Sequence, residues 1–157
     1  MYYCIKKMKK LIVLALLSLM ILPVMAQVPT EITKAFPKAK SIKKETKWAV
    51  VYDAQKKVLG YAVYSKPASN GIKGYAGETP LLVALNPKER VQKVVLLDNN
   101  ETPNFLQLVI DSGLLDSWNG MKLKRARKHE VDVVSGATYS SRSIIRSFQA
   151  AINTVIN

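Results

Sequence analysis

Leu81-Leu82-Val83-Ala84-Leu85-Asn86-Pro87-Lys88-Glu89-Arg90-Val91-Gln92-Lys93-Val94-Val95-Leu96-Leu97 contains two apolar, β-branched runs, Leu81 to Leu85 and Val91 to Leu97, around the turn-forming residues Asn86-Pro87-Lys88. Two such runs about a turn predict an antiparallel hairpin. The pattern recurs upstream, where Trp48 to Tyr52 and Val58 to Tyr64 flank the polar stretch Asp53 to Lys57 and predict a second hairpin. Between the hairpins, Pro67 to Pro80 is rich in small and turn-forming residues, with Gly71, Gly74 and Gly77 around Tyr75. That composition predicts a loop whose backbone comes close to another group.

On the C-terminal side, helical turns are expected over Asn104 to Ser112, where Phe105, Leu108 and Val109 share a face and Gly113 supplies the stop. Leu114, Leu115 and Trp118 extend the apolar supply, and a short strand is expected at Val131 to Val134. The clearest helix starts near Ser140: Ile144, Ile145, Phe148, Ile152, Val155 and Ile156 recur at helical spacing, while Arg142, Arg146 and Asn153 take other faces. On the N-terminal side, Thr30 is expected to cap a short helix through Phe36 that Pro37 stops, followed by a basic linker. Strands and helices in separate runs predict an α+β fold with a largely antiparallel sheet and packed helices. A chain of 157 residues supports one core better than two. Residues 27–70 carry the first helix and hairpin, and 71–157 the part that concentrates the chemistry.

Residues 1–26 are a different kind of sequence. Lys6, Lys7, Lys9 and Lys10 precede an uncharged apolar run from Leu11 to Val24, and Pro23-Val24-Met25-Ala26 has the small residues a signal peptidase accepts. A removed leader and an extracytoplasmic location, periplasm or cell envelope, are the expectation; an uncleaved membrane anchor is the alternative. A start at Met8 would make a tidier leader. Cys4 is the only cysteine and precedes the apolar run, so it is not a lipid-attachment site. Its removal leaves no thiol for disulfides, thiolate metal sites or cysteine redox chemistry. The net charge is +13, but four of the 24 cationic residues fall in the leader, leaving 20 against 11 acids. No nucleic-acid recognition motif accompanies them, so a solvated basic face or a docking surface for an acidic partner is the better reading.

The chemistry gathers in Asp132-Val133-Val134-Ser135-Gly136-Ala137-Thr138-Tyr139-Ser140-Ser141-Arg142. A glycine where an extended segment turns into a helix lets backbone approach a ligand. The unpaired amides and dipole of the helix start favour an anion there. Hydroxyls of Ser135, Thr138, Ser140 and Ser141 add donors, and Arg142 adds charge. The residues alone leave two readings open: a phosphate site, or a polar cap for a long helix.

Asp132-x-x-Ser135-Gly136-Ala137-Thr138 resembles the flavinylation motif of the FMN-binding domain family. That family includes the C subunit of the sodium-translocating NADH:quinone reductase and the G subunit of the Rnf electron-transfer complex. Gly74-Tyr75-Ala76-Gly77 resembles the family's Gly-Tyr-Gly-Gly stretch, and Glu101-Thr102-Pro103 its Glu-Thr-Pro-Gly motif, in the family's order and approximate spacing. Ala76 replaces a glycine, and Asn104 stands where glycine is common. The resemblance implies FMN as cofactor, joined by a flavin transferase to Thr138 through a phosphoester. Asp132, Ser135, Gly136 and Ala137 correspond to the recognition residues. Tyr75, Thr102 and the backbone near Gly136 are candidate ring or ribityl contacts, with Gly77, Glu101 and Arg142 beside them; for Tyr75 a plain packing role is the alternative. The implied role is an electron carrier between a membrane, quinone-linked donor and an external acceptor, free-standing because the chain is shorter than the respiratory subunits. The contrasting reading is a non-redox basic module that docks on an anionic partner or membrane.

Other catalytic patterns are weak. Ser41-Ile42-Lys43-Lys44 has Ser-x-x-Lys spacing without the companion motifs. His129, the only histidine, has no Gly-x-Ser-x-Gly partner, and the acids show no metal-ligand spacing.

Overall fold

Leu81 to Leu85 forms a strand buried at every position, so it does not alternate between wet and dry faces. The computed structural model, which describes residues 27–156, shows why: both sides of the sheet are covered. The leader expected over 1–26 lies outside the described residues. Five strands pair antiparallel in chain order: β1 (Ser41–Lys44), β2 (Ala49–Tyr52), β3 (Val58–Tyr64), β4 (Leu81–Leu85) and β5 (Val91–Leu96). Both expected hairpins form, and the β4–β5 turn is closed by Asn86, whose Oδ1 accepts the Lys88 and Arg90 amides. The fold is α+β, as the separation of strand and helix runs predicts.

The helices are α1 (Thr30–Ala35), α2 (Pro103–Asp111), α3 (Leu123–Lys128) and α4 (Thr138–Ile156), with a 3-10 turn at Leu114–Asp116. Across three strands, Val63, Val83 and Val94 stand opposite one another and face the larger core, where Ile144, Phe148, Ala151 and Ile152 of α4 meet them. The Trp118 ring stacks on Phe148 with centroids 3.9 Å apart. Leu82, Ala84, Val51 and Val95 point the other way, toward Ile32 and Ala35 of α1 and Phe36 just after it.

Four expectations are corrected. The cap of α1 is Pro29, whose carbonyl accepts the Ile32 and Thr33 amides; Thr30 lies inside the helix and makes no capping bond. Part of the basic linker, Ser41 to Lys44, is the edge strand β1, whose exposed lysines suit an edge because they discourage further strand pairing. No strand forms at 131–134, because the Val134 amide is taken by Ser141 Oγ at 3.0 Å instead of by a neighbouring strand. Leu108 is 44% exposed, so only Val109 of the proposed α2 face is buried. Missed from the sequence was α3, in which four of six residues are Lys or Arg and only Leu123 and Ala126 are buried. Such a helix is too short to show an apolar period.

Phe148 is fully buried against Trp118. Phe148→Ala is expected to lower the unfolding free energy by about 3–5 kcal/mol, read from the urea midpoint at unchanged slope.

Candidate functional site

Glu101 is 5% exposed, and a carboxylate removed from water must find compensating donors. The loop predicted to approach another group supplies them. The Tyr75 amide donates to Glu101 Oε1 at 3.1 Å, the Ala76 amide to both oxygens at 3.1 and 3.2 Å, and the Gly77 amide to Oε2 at 3.2 Å. Three successive amides thus converge on one anion, in the manner of a backbone nest. From the other side, the Ser140 hydroxyl of α4 donates to Oε1 at 3.2 Å. Burial by itself would push the Glu101 carboxyl up; the bonds from Ala76, Gly77, Thr102 and Ser140 outweigh it and hold the group below the ordinary carboxylate range.

This clamp explains the glycine pattern. A Cβ on Gly74 would collide with the Glu101 carboxylate and stand 3.3 Å from the Ser140 backbone. Ala76 does not occupy the left-handed region, so the missing glycine there carries no backbone penalty. The loop is further fastened by Lys66 to Glu78 at 2.8 Å, by the Gly71 amide to Glu78 at 2.7 Å, and by a hydrogen bond between the Thr79 and Ser143 hydroxyls.

On top of the clamp lies the start of α4. Ala137 precedes the helix: its carbonyl accepts the Ser141 amide at 2.9 Å and the Ser141 hydroxyl at 2.7 Å. The amides of Thr138, Tyr139 and Ser140 therefore have no acceptor within the helix. Gly136, at φ 80°, takes the left-handed turn into it. Thr138, Tyr139 and Ser140, with Gly136 and Ala137, form one wall of a hollow of about 290 Å³ whose other wall is Tyr75 and Phe105. The Tyr75 ring meets Phe105 edge-on at 5.0 Å, and Tyr75 and Tyr139 are 65% and 64% exposed.

Of the residues singled out in the sequence for the site, Tyr75, Gly136, Ala137, Thr138 and Ser140 line this hollow. Gly77 and Glu101 lie in the clamp, where the carboxylate is engaged by the protein's own donors. Thr102 starts α2: its carbonyl accepts the Phe105 and Leu106 amides, which sets the position of Phe105. Asp132 lines a separate hollow of about 420 Å³ with His129 and Val134. Ser135 is exposed in the turn, and Arg142 is exposed on α4 and is not among the residues of the hollow. The sequence assigned no site role to Phe105 and Tyr139. Phe105 was legible only as an apolar helix residue, and Tyr139 stood unassigned beside Thr138.

A sequence model of the FMN-binding domain matches residues 74–153, from the clamp glycine into α4. Among solved structures, the crystal structure of NqrC from Shewanella oneidensis is similar: 23% identity, 75% of this chain and 67% of that chain covered, TM-score 0.48. Comparison with the curated proteins returns no match. The cofactor that goes with the matched domain is FMN, and the hollow fits it chemically. Tyr75, Phe105 and Tyr139 offer aromatic surface to a flat ring, and the free amides at the start of α4 suit a phosphate. The volume is near the low end of the roughly 300–1,000 Å³ typical of small-molecule sites, so part of a flavin nucleotide would remain in solvent.

Glu101→Ala leaves three loop amides and a serine hydroxyl without their acceptor, and is expected to cost about 1–3 kcal/mol at neutral pH. Because the carboxyl is held below its unfolded value, its contribution is present above the usual carboxylate range and lost as pH falls through the folded value. The acid limb of a stability-versus-pH curve should be shallower in the variant, and overlaying limbs would count against the clamp.

Proposed function

The chain belongs to the FMN-binding domain family, and on that premise we propose that it is an exported electron carrier whose FMN is esterified through its phosphate to Thr138 Oγ. The observation that carries this reading is the place of Thr138: first residue of α4, half-buried, on the wall of an aromatic hollow, at the last position of the Asp132-x-x-Ser-Gly-Ala-Thr pattern. A hydroxyl in that position is open to a modifying enzyme. An ester formed there leaves its phosphate beside helix-start amides that stabilise negative charge.

Bound FMN supplies one- and two-electron chemistry that no side chain of this protein offers. The chain's own residues bind and orient. Tyr75, Phe105 and Tyr139 would offer aromatic surface to a bound ring, Gly136 would allow close backbone approach, and the Glu101 clamp fixes the wall carrying Tyr75 relative to the wall carrying Thr138. A covalent attachment fits the leader-directed location, where free FMN is scarce and a dissociable cofactor would be lost by mass action. The partners that follow are a flavin transferase using FAD, a membrane quinone-linked donor and an external acceptor. Most of the lining consists of ring faces, small residues and backbone, with no acid–base pair, which suits electron relay better than conversion of a small substrate.

The full chain, co-expressed with a flavin transferase in an exporting host, should give a flavin-fluorescent band after denaturing electrophoresis, and Thr138→Ala should abolish it. A dark wild-type band, or yellow colour lost on denaturation, would overturn the covalent assignment.

A further inference from the structure

At the far end of the sheet from Thr138 there is a third hollow, of about 460 Å³, lined by Arg90, Asn119, Gly120, Met121, Lys122 and Arg125. Three of the six are cations and none is an acid. Arg90 and Glu101 lie beyond opposite ends of β5, whose six residues at ~3.3 Å each place roughly 20 Å of strand between this hollow and the clamp. The frame is well determined. Arg90 pairs with Lys122 in an isolated antiparallel bridge, Gly120 donates to the Val91 carbonyl at 2.7 Å, and Val91 donates to Met121 at 2.9 Å. Arg90 Nη1 donates to the Gly120 carbonyl at 2.9 Å, which fixes the guanidinium and leaves its remaining donors uncommitted to that carbonyl. Among the described residues, Arg90, Lys122 and Arg125 form no ion pair with a carboxylate.

We propose that this cationic hollow, with Lys124, Arg127 and Lys128 continuing it along α3, is a docking surface for an acidic segment of a partner protein, rich in Asp and Glu. The breadth of the patch exceeds what one small anion covers, because charge continues beyond the hollow along a whole helix. A bilayer fits it poorly: a flat surface does not enter a concavity, and basic faces that hold membranes carry apolar side chains to insert. The exposed large apolar residues here, Tyr75, Leu108, Ile110, Val133 and Tyr139, are not on α3. A carboxylate-bearing loop meets both requirements, projecting into the hollow while its flanking acids reach α3. Docking at this end leaves the Thr138 hollow uncovered. The surface acts as an anchor, and the proposal is independent of how FMN is attached.

The test uses the full chain and a fluorescein-labelled polyglutamate peptide at low salt, followed by anisotropy. Arg90→Gln/Lys122→Gln/Arg125→Gln is compared with Lys34→Gln/Lys38→Gln/Lys40→Gln, which removes the same charge from exposed positions elsewhere. The hollow variant is expected to bind about tenfold more weakly or worse, with the control close to wild type. The exposed single reversal Arg125→Glu should weaken binding too, which keeps the result readable if the triple variant unfolds. Equal losses in both triple variants would mean only net charge is sensed. Competition by inorganic phosphate at equal charge would mean a small-anion site, and tighter binding to phosphatidylglycerol vesicles than to the peptide a lipid surface. Each of these three results overturns the proposal.

Discussion

The site depends on one buried carboxylate. Glu101 follows β5 at the point where the chain leaves the sheet, and its two oxygens gather the amides of Tyr75, Ala76 and Gly77 on one side and the Ser140 hydroxyl on the other. Segments far apart in sequence are tied to one charged group, and the charge is tolerable inside the protein because donors replace the water it lost. Tyr75 and Thr138 therefore face each other across the hollow at a separation set by that group and not by their own contacts.

The sheet supplies what the clamp is anchored to. β4 is covered on both faces, so its position is fixed by the α1 core on one side and the α4 core on the other. The 67–80 loop enters β4 directly, and Thr79 fastens it to Ser143 of α4 just before the strand begins. Irregular backbone built this way is not a mobile lid. It is held at its base by Lys66–Glu78, at its tip by Glu101 and at its exit by Thr79, which is what a wall of a cofactor site requires.

One cluster of cations and one cluster of exposed tyrosines lie toward opposite ends of β5. The exposed tyrosines collect where the hollow meets the start of α4, while the α3 cations and Arg90 collect at the other end of β5. For the electron carrier proposed above, holding a partner by one end would leave the end carrying Thr138 free to react.

The sequence by itself determined both hairpins, the long final helix, the α+β class and the polar turn at 135–141, because each is written in local period, turn residues or glycine placement. The resemblance of its three motifs to the FMN-binding domain family also implied FMN as the cofactor, which the match over residues 74–153 supports. Only the tertiary structure decided what those motifs do. Glu101 and Gly77, read from the sequence as flavin neighbours, are engaged with each other. Gly74 is small because a carboxylate occupies the space beside it, Phe105 and Tyr139 belong to the hollow, and Asp132 faces elsewhere. The physical reason is range: helix and strand periods are set by neighbours a few residues apart, whereas Glu101 meets amides 24 to 26 residues away and a hydroxyl 39 away, contacts that exist only after the sheet and α4 have brought them together.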